Sequence, residues 1–142
     1  MDTYNRTSTA PATEVSPSRQ PRILVIDDDR YVRMLLCDLL EAWGYAPDSA
    51  ADGREGLTRF SPGLYDVVLT DLGMPGMSGL DVVAGVRYRD TEVRVIMFTA
   101  FTGDLDAHGR RLDFTVLRKP LDIEGLRRAV RAAVEARGTM AG

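Results

Sequence analysis

Apolar residues follow two alternating rhythms along this chain. Ile23-Leu24-Val25-Ile26, the stretch from Asp66 to Thr70 and the stretch from Val93 to Phe98 are short and almost continuously apolar. Runs of that length with no polar face predict strands covered on both sides, as in a parallel sheet. Between the first two runs the period lengthens: Val32, Leu35, Leu36, Leu39, Leu40 and Trp43 recur at three- and four-residue steps, one face of a helix that Gly44 ends. A weaker strand over Tyr45 to Ser49 carries Pro47, and Asp52-Gly53 leads into a short helix near Arg54 to Phe60. The loop from Leu72 to Met77 precedes a helix over Gly79 to Arg89, with Ser78 and Asp81 at capping-box spacing. A glycine-interrupted segment with Asp104, His108 and Gly109 leads to a half-polar strand over Phe114 to Arg118. The last helix starts after Asp122 as N-cap, turning Ile123, Leu126, Val130, Ala133 and Val134 inward and Arg127, Arg128 and Arg131 outward.

Strands alternating with helices at short spacing predict an α/β domain, a doubly wound five-stranded parallel sheet with helices on both faces. The first, third and fourth strands are the most apolar and belong in the middle. The second, with its proline, and the fifth belong at the edges. This is the flavodoxin-like order 2-1-3-4-5, whose switch point lies between strands 1 and 3.

Two of the central strands end abruptly in acid, with Asp27-Asp28-Asp29 after the first and Asp71 after the third. Ligand crevices in open parallel sheets lie outside the carboxyl ends of the strands, so these carboxylates meet there. Two unit negative charges about 4 Å apart repel by roughly 4 kcal/mol at an effective dielectric of 20, so the cluster calls for a cation. Thr99, ending strand 4, and Lys119, ending strand 5, point into the same crevice. Magnesium takes one or two carboxylates plus phosphate oxygens and waters. A carboxylate can also attack a phosphoryl group, with an ammonium and a hydroxyl stabilising the equatorial oxygens. Asp29 and Arg30 read most simply as the start of the first helix, where a carboxylate suits the positive terminus.

Composition narrows the setting. At 142 residues, 44% hydrophobic and 27% charged, the chain suits one domain with a real core. A net charge of −3 gives no basic footprint for nucleic acid. The lone Cys37 excludes an internal disulfide, fits a reducing compartment and reads as a helix packing residue. No apolar run is long enough to span a membrane, and residues 1–21, rich in Ser, Thr and Pro, lack the apolar core of a signal peptide. The expectation is a cytoplasmic protein with a disordered tail over 1–21, a domain over 22–137 and a flexible C-terminus over 138–142. Lys119 is the only lysine among 18 Lys and Arg residues.

Four segments carry a resemblance: Ile23-Leu24-Val25-Ile26-Asp27-Asp28-Asp29, Asp71-Leu72-Gly73-Met74-Pro75-Gly76-Met77-Ser78-Gly79, Met97-Phe98-Thr99-Ala100 and Leu117-Arg118-Lys119-Pro120. In this order the sequence resembles the receiver domain of two-component response regulators, from about Arg22 to Arg137. The resemblance implies that Asp71 is the phospho-acceptor and Asp28 a direct Mg2+ ligand. Asp27 is then an acidic-pocket member acting mainly through water, and Gly73 lends its backbone carbonyl to the metal. Thr99 becomes the switch hydroxyl and Lys119 its cationic partner, preceding a cis peptide to Pro120. The implied partners are a sensor histidine kinase or histidine phosphotransfer protein upstream and an unknown protein target downstream. No DNA-binding domain and no membrane attachment are expected, since 138–142 is too short for an output domain. Chemistry beyond self-phosphorylation and slow autodephosphorylation is not expected.

Two departures from the family pattern stand out. Val116 occupies the position where the family places a switch aromatic, with Phe114 on a different register. The stretch between Thr99 and Lys119 also leaves little room for a full fourth helix. Two other readings stay open. Asp27-x-Asp29 has the spacing of phosphatases of the haloacid dehalogenase type, although Tyr31 stands where Thr or Val is expected and no cap domain fits. A receiver-like interaction module that has lost phosphorylation is the second. His108, alone in a polar segment, and Met74 and Met77, in the loop after Asp71, read as having no chemistry of their own.

Overall fold

The computed structural model describes residues 19–141, with side chains from 19 to 137. The elements run β1 (Arg22–Ile26), α1 (Arg30–Ala42), β2 (Ala46–Ala50), α2 (Gly53–Arg59), β3 (Val67–Thr70), α3 (Gly79–Arg89), β4 (Arg94–Thr99), α4 (Asp106–Leu112), β5 (Thr115–Arg118) and α5 (Ile123–Ala141). All five strands are parallel and lie in the order β2-β1-β3-β4-β5. Pro47 sits on the edge strand opposite Ile23, where its missing N–H costs no bond on the outer side.

Alternation along the strands divides the core in two. Ile23, Val25, Val67, Leu69, Ile96 and Phe98 face α1 and α5, meeting Leu36, Leu40, Leu126 and Val130. Leu24, Ile26, Val68, Val95 and Met97 face the other way, onto Val82, Val83 and Val86 of α3 and Phe114. Both faces are covered, which is why the central strands are apolar throughout. Met74 and Met77 pack against this second cluster, as loop residues without chemistry should.

Helix ends follow the local chemistry. Asp29 is the N-cap of α1, its carboxylate accepting from the Tyr31 and Val32 N–H groups at 2.9 and 3.2 Å. Ser78 and Asp81 form the capping box of α3. The Leu126 N–H donates to the Asp122 carbonyl as α5 begins. Gly44, at φ 95°, lets the chain leave α1 in the left-handed region.

Two positions in the amphipathic pattern come out differently from the sequence reading. Leu35 and Ile123, both expected inward, are 46% and 47% exposed. Ile123 is the first residue of α5, whereas Leu35, beside the buried Leu36, lies at the margin of the α1 stripe and borders the turn at Pro120 and Leu121. The tail expected over 1–21 falls outside the described residues up to Ser18. Its last part is docked: Arg19 pairs with Asp66 at 3.4 Å, Gln20 donates to the Gly44 carbonyl, and Pro21 accepts from Ala46. At the other end α5 runs to Ala141, past the expected boundary at Arg137.

The short fourth helix is secured from outside. Arg87 of α3 donates to the Leu112 carbonyl at 2.7 Å, the Asp113 carbonyl at 2.7 Å, and the carbonyls of Asp90 and Val93. Those bonds fix the turn between α4 and β5, where Asp113 has a φ of 60°.

The start of α3 is pressed onto the loop that carries Asp71. A Cβ at Gly79 would stand 2.1 Å from the Asp71 carbonyl oxygen and 2.8 Å from the Leu72 Cα, both backbone atoms with no freedom to move aside. Gly79→Ala is therefore expected to destabilise the fold by about 3 kcal/mol, the upper range for overpacking. Urea denaturation of the two proteins checks it, and an unchanged midpoint would contradict it.

Candidate functional site

Asp27, Asp71, Thr99 and Lys119 each sit at or one residue beyond the end of a strand, pinned by the last rungs of the sheet, and Asp28 follows Asp27. The Asp27 N–H donates to the Ala50 carbonyl at 3.2 Å, the Asp71 N–H to Ile26 at 3.0 Å, and the Lys119 N–H to Thr99 at 2.8 Å. The backbone at these positions is thus as fixed as the sheet itself. The chain then leaves sharply, through the Asp29 N-cap after β1 and through a cis Lys119-Pro120 peptide after β5.

Asp27, Asp28 and Asp71 each offer a carboxylate oxygen within 4.8 Å of the others. Asp27 is almost fully buried and Asp71 nearly so, whereas Asp28 is exposed. Lys119 bridges the two buried members, its Nζ lying 3.3 Å from Asp27 Oδ2 and 3.3 Å from Asp71 Oδ2. The remaining oxygens are also engaged. Asp27 Oδ1 accepts from the Asp29 N–H at 2.8 Å, and Asp71 Oδ1 from the Leu72 N–H at 2.7 Å.

Electrostatics follow from burial. Desolvation pushes the Asp27 carboxyl above its ordinary value, and the Asp71 charge adds to this. The Asp29 N–H and the Lys119 ammonium pull the other way without cancelling it. For Lys119, burial is the largest single influence and lowers its pKa, but the charges of Asp27 and Asp71 together carry it above the ordinary lysine value. The ammonium therefore stays charged. Three carboxylates against one ammonium leave two negative charges, which a divalent cation matches, and an all-oxygen donor set suits a hard ion.

Thr99 is buried at the end of β4, its hydroxyl accepting from the Phe101 N–H at 3.1 Å. Gly73 lies two residues beyond Asp71 in an exposed loop with open space around its Cα. Val116 is partly buried and packs against the core, so β5 presents no aromatic at that position. His108 contacts Arg111 at 3.3 Å on α4, away from the carboxylates. Cys37 is a partly buried packing residue, and burial pushes its thiol up.

Three residues of the site were not legible beforehand. Arg33 donates to the Asp27 carbonyl at 2.7 Å from one turn into α1. The Lys119 ammonium lies over the Phe98 ring, 5.2 Å from its centroid. Arg118 donates to the carbonyls of Phe101 and Gly103, tying down the loop after Thr99. Among 18 Lys and Arg residues, no local signal separates Arg33 or Arg118 from a solvated arginine.

Among the described residues, no helix is long and apolar enough to cross a membrane. The family model of the response regulator receiver domain matches residues 23–131. Sporulation initiation phosphotransferase F of Bacillus subtilis (strain 168) is 34% identical over 113 residues, covering 78% of this chain and 90% of that protein. The uncharacterised transcriptional regulatory protein YkoG of the same strain is 35% identical over 125 residues, 82% of this chain and 52% of that protein, so here the chain spans about half of its relative. Among solved structures, the response regulator TrrA of Thermotoga maritima, in complex with Mg(2+)-BeF, superposes with a TM-score of 0.73 at 34% identity, covering 80% of this chain and 99% of that one. With a family model spanning well over half of the sequence and a relative matched along nine-tenths of its length, the chain belongs to the response regulator receiver domain family.

Proposed function

We propose that Asp71 accepts a phosphoryl group from the phosphohistidine of a sensor histidine kinase or histidine phosphotransfer protein, and that the phosphorylated domain signals by binding a protein partner or passing the group onward. The observation that carries this reading is the Lys119 ammonium shared between Asp27 and Asp71 at 3.3 Å each. A carboxylate oxygen of Asp71 bonds to phosphorus as the phosphorus–nitrogen bond of the donor breaks, and the electron pair leaves on the imidazole nitrogen. Lys119 is placed to neutralise charge on the transferring group, and the Thr99 hydroxyl to donate to one of its oxygens. Asp28, Asp71 and the Gly73 backbone carbonyl would hold a magnesium ion, with Asp27 acting mainly through water, and the ion would supply further neutralisation of the phosphoryl oxygens. Slow hydrolysis follows when water attacks phosphorus and restores the carboxylate. The protein then acts as a switch and turns over no external substrate beyond the phosphodonor.

A surface beside the pocket suits a donor. Tyr31, Met34 and Leu35 of α1 and Ile123 of α5 are large apolar residues exposed by 46% or more. Leu35 also lines a cleft of about 190 Å³ whose other walls are Val32, Leu36, Phe98, Lys119, Pro120 and Leu121. An apolar helix face bearing the phosphohistidine would find both contact area and the acceptor within one surface.

Three outcomes test this. Incubated with magnesium and acetyl phosphate, the parent gains the mass of one phosphoryl group and Asp71→Asn does not; equal labelling of both, or sustained turnover of p-nitrophenyl phosphate as by a phosphatase, overturns the assignment. Lys119→Arg folds normally but is labelled about a hundredfold more slowly, because a planar fork cannot place one point charge between two carboxylates and loss of a preorganised donor costs about 10²–10³ in rate. Leu35→Glu keeps the parent's labelling by acetyl phosphate, but phosphotransfer from a purified sensor kinase that labels the parent falls at least tenfold.

A further inference from the structure

Between the end of β1 and the start of α1 lie three acids, Asp27, Asp28 and Asp29. The peptide groups on either side of Asp28 are both held. The carbonyl of the first, that of Asp27, accepts from the Arg33 guanidinium at 2.7 Å. The N–H of the second, that of Asp29, donates to Asp27 Oδ1 at 2.8 Å. Arg33 straddles the turn, since its own backbone N–H donates to the Asp29 carbonyl at 2.9 Å. Peptide groups are planar, so fixing both planes fixes the φ and ψ of Asp28, and with them the direction of its Cα–Cβ bond. Asp28 itself is exposed, so side-chain packing does not aim its carboxylate.

Arg33 bonds to a carbonyl although acids are near. It is partly buried, and three carboxylates lie within the six positions before it, yet among the described residues it forms no ion pair. A cation near the start of α1 also gains nothing from the helix, whose amino end is its positive pole. A guanidinium paired directly with Asp28 would occupy the oxygens that a divalent ion needs. Bonded to the Asp27 carbonyl, it sets the peptide and leaves the Asp28 carboxylate open.

We propose that Arg33 is a positioning residue for the cation site: by holding the Asp27–Asp28 peptide it keeps the Asp28 carboxylate within reach of those of Asp27 and Asp71, and so raises the affinity of the pocket for Mg2+. This rests on the reading of Asp28 as a metal ligand. The three carboxylates offer oxygens within 4.8 Å of one another, a spacing that depends on where the backbone of Asp28 points its side chain. A ligand held in place beforehand loses less freedom on binding, and partners that orient ligands are typically worth about ten- to a hundredfold in metal affinity. The charge of Arg33 acts in the opposite sense. A guanidinium beside the pocket repels Mg2+, so its removal would tighten binding if charge were all that mattered. The sign of the change therefore separates positioning from charge, and a role in packing alone moves the affinity in neither direction.

Titration with Mg2+ alone, followed by the backbone amide resonances of the pocket and with no phosphodonor present, tests this. Arg33→Met keeps an apolar stem and the helix propensity but removes the donors, and its Kd for Mg2+ is expected to be about tenfold higher than the parent's. Arg33→Gln, whose amide stops two bonds short of the donating nitrogen, is expected to move the same way and serves if the methionine variant does not fold. Without Mg2+, the Asp29 amide of either variant is expected to exchange with solvent about threefold faster, because the turn opens more often. A folded variant whose Kd is unchanged or lower overturns the proposal, and so does unchanged exchange at Asp29. Asp28→Asn is the control and is expected to lose most of the binding. A parent that binds no Mg2+, or an Asp28→Asn protein that binds as the parent does, removes the cation-site reading itself, and this inference with it.

Discussion

One ammonium between two carboxylates sets the terms for this domain. Lys119 reaches Asp27 and Asp71 from the end of the edge strand β5, and both acids belong to the two central strands β1 and β3. A parallel sheet of this order needs β4 to lie between β3 and β5, so the lysine spans the width of the crevice. Without it, the buried Asp27 carboxyl, already pushed above its ordinary value by desolvation and by the Asp71 charge, would keep only the Asp29 N–H as a stabilising partner. With it, Asp27 and Asp71 share one cation, and the exposed Asp28 completes a set of three carboxylates that could hold a divalent ion. Stability and chemistry are coupled here, because the pairing that makes the acids tolerable also places a cation beside the acceptor.

That coupling explains why so much of the site could be read from residue order. A strand that stops in acid announces where its carboxylate will surface, and the sheet order brings β1 and β3 side by side. Thr99 and Lys119 are legible for the same reason, each lying at a strand end. The amphipathic helices are legible in their middle turns, where Leu36, Leu40, Leu126 and Val130 are fully or almost fully buried. They are misread at Ile123, the first residue of α5, and at Leu35, on the margin of the α1 stripe, because periodicity carries no knowledge of how far the sheet extends beneath them. The compressed fourth helix was anticipated by counting residues between Thr99 and Lys119, but not the means of holding it, since Arg87 makes its contacts across the fold.

The illegible contacts share a chemistry. Arg33, Arg87, Arg89 and Arg118 all direct their guanidinium groups at backbone carbonyls of other segments: Arg33 at Asp27, Arg87 at Leu112 and Asp113, Arg89 at Leu57 and Phe60, Arg118 at Phe101 and Gly103. Loops and helix ends leave carbonyls without partners, and a planar group with five donors can satisfy two of them at once. No sequence pattern marks the acceptor, because every residue carries the same carbonyl. The choice depends on tertiary geometry alone.

The single lysine is the converse case. Its task is to place one charge equally between two carboxylates, at 3.3 Å from each, while its stem passes the Phe98 ring. A guanidinium is a rigid fork suited to two parallel bonds on one partner or to neighbouring carbonyls, and it spreads its charge over a plane. An ammonium is a compact charge on a flexible stem, with three donors that can divide between partners. A chain that uses arginine to tie its loops together thus changes residue type where the requirement changes from spanning carbonyls to balancing acids. Because Lys119 and Arg118 are adjacent, the two functions meet on β5: one residue faces the acids and the next faces the loop.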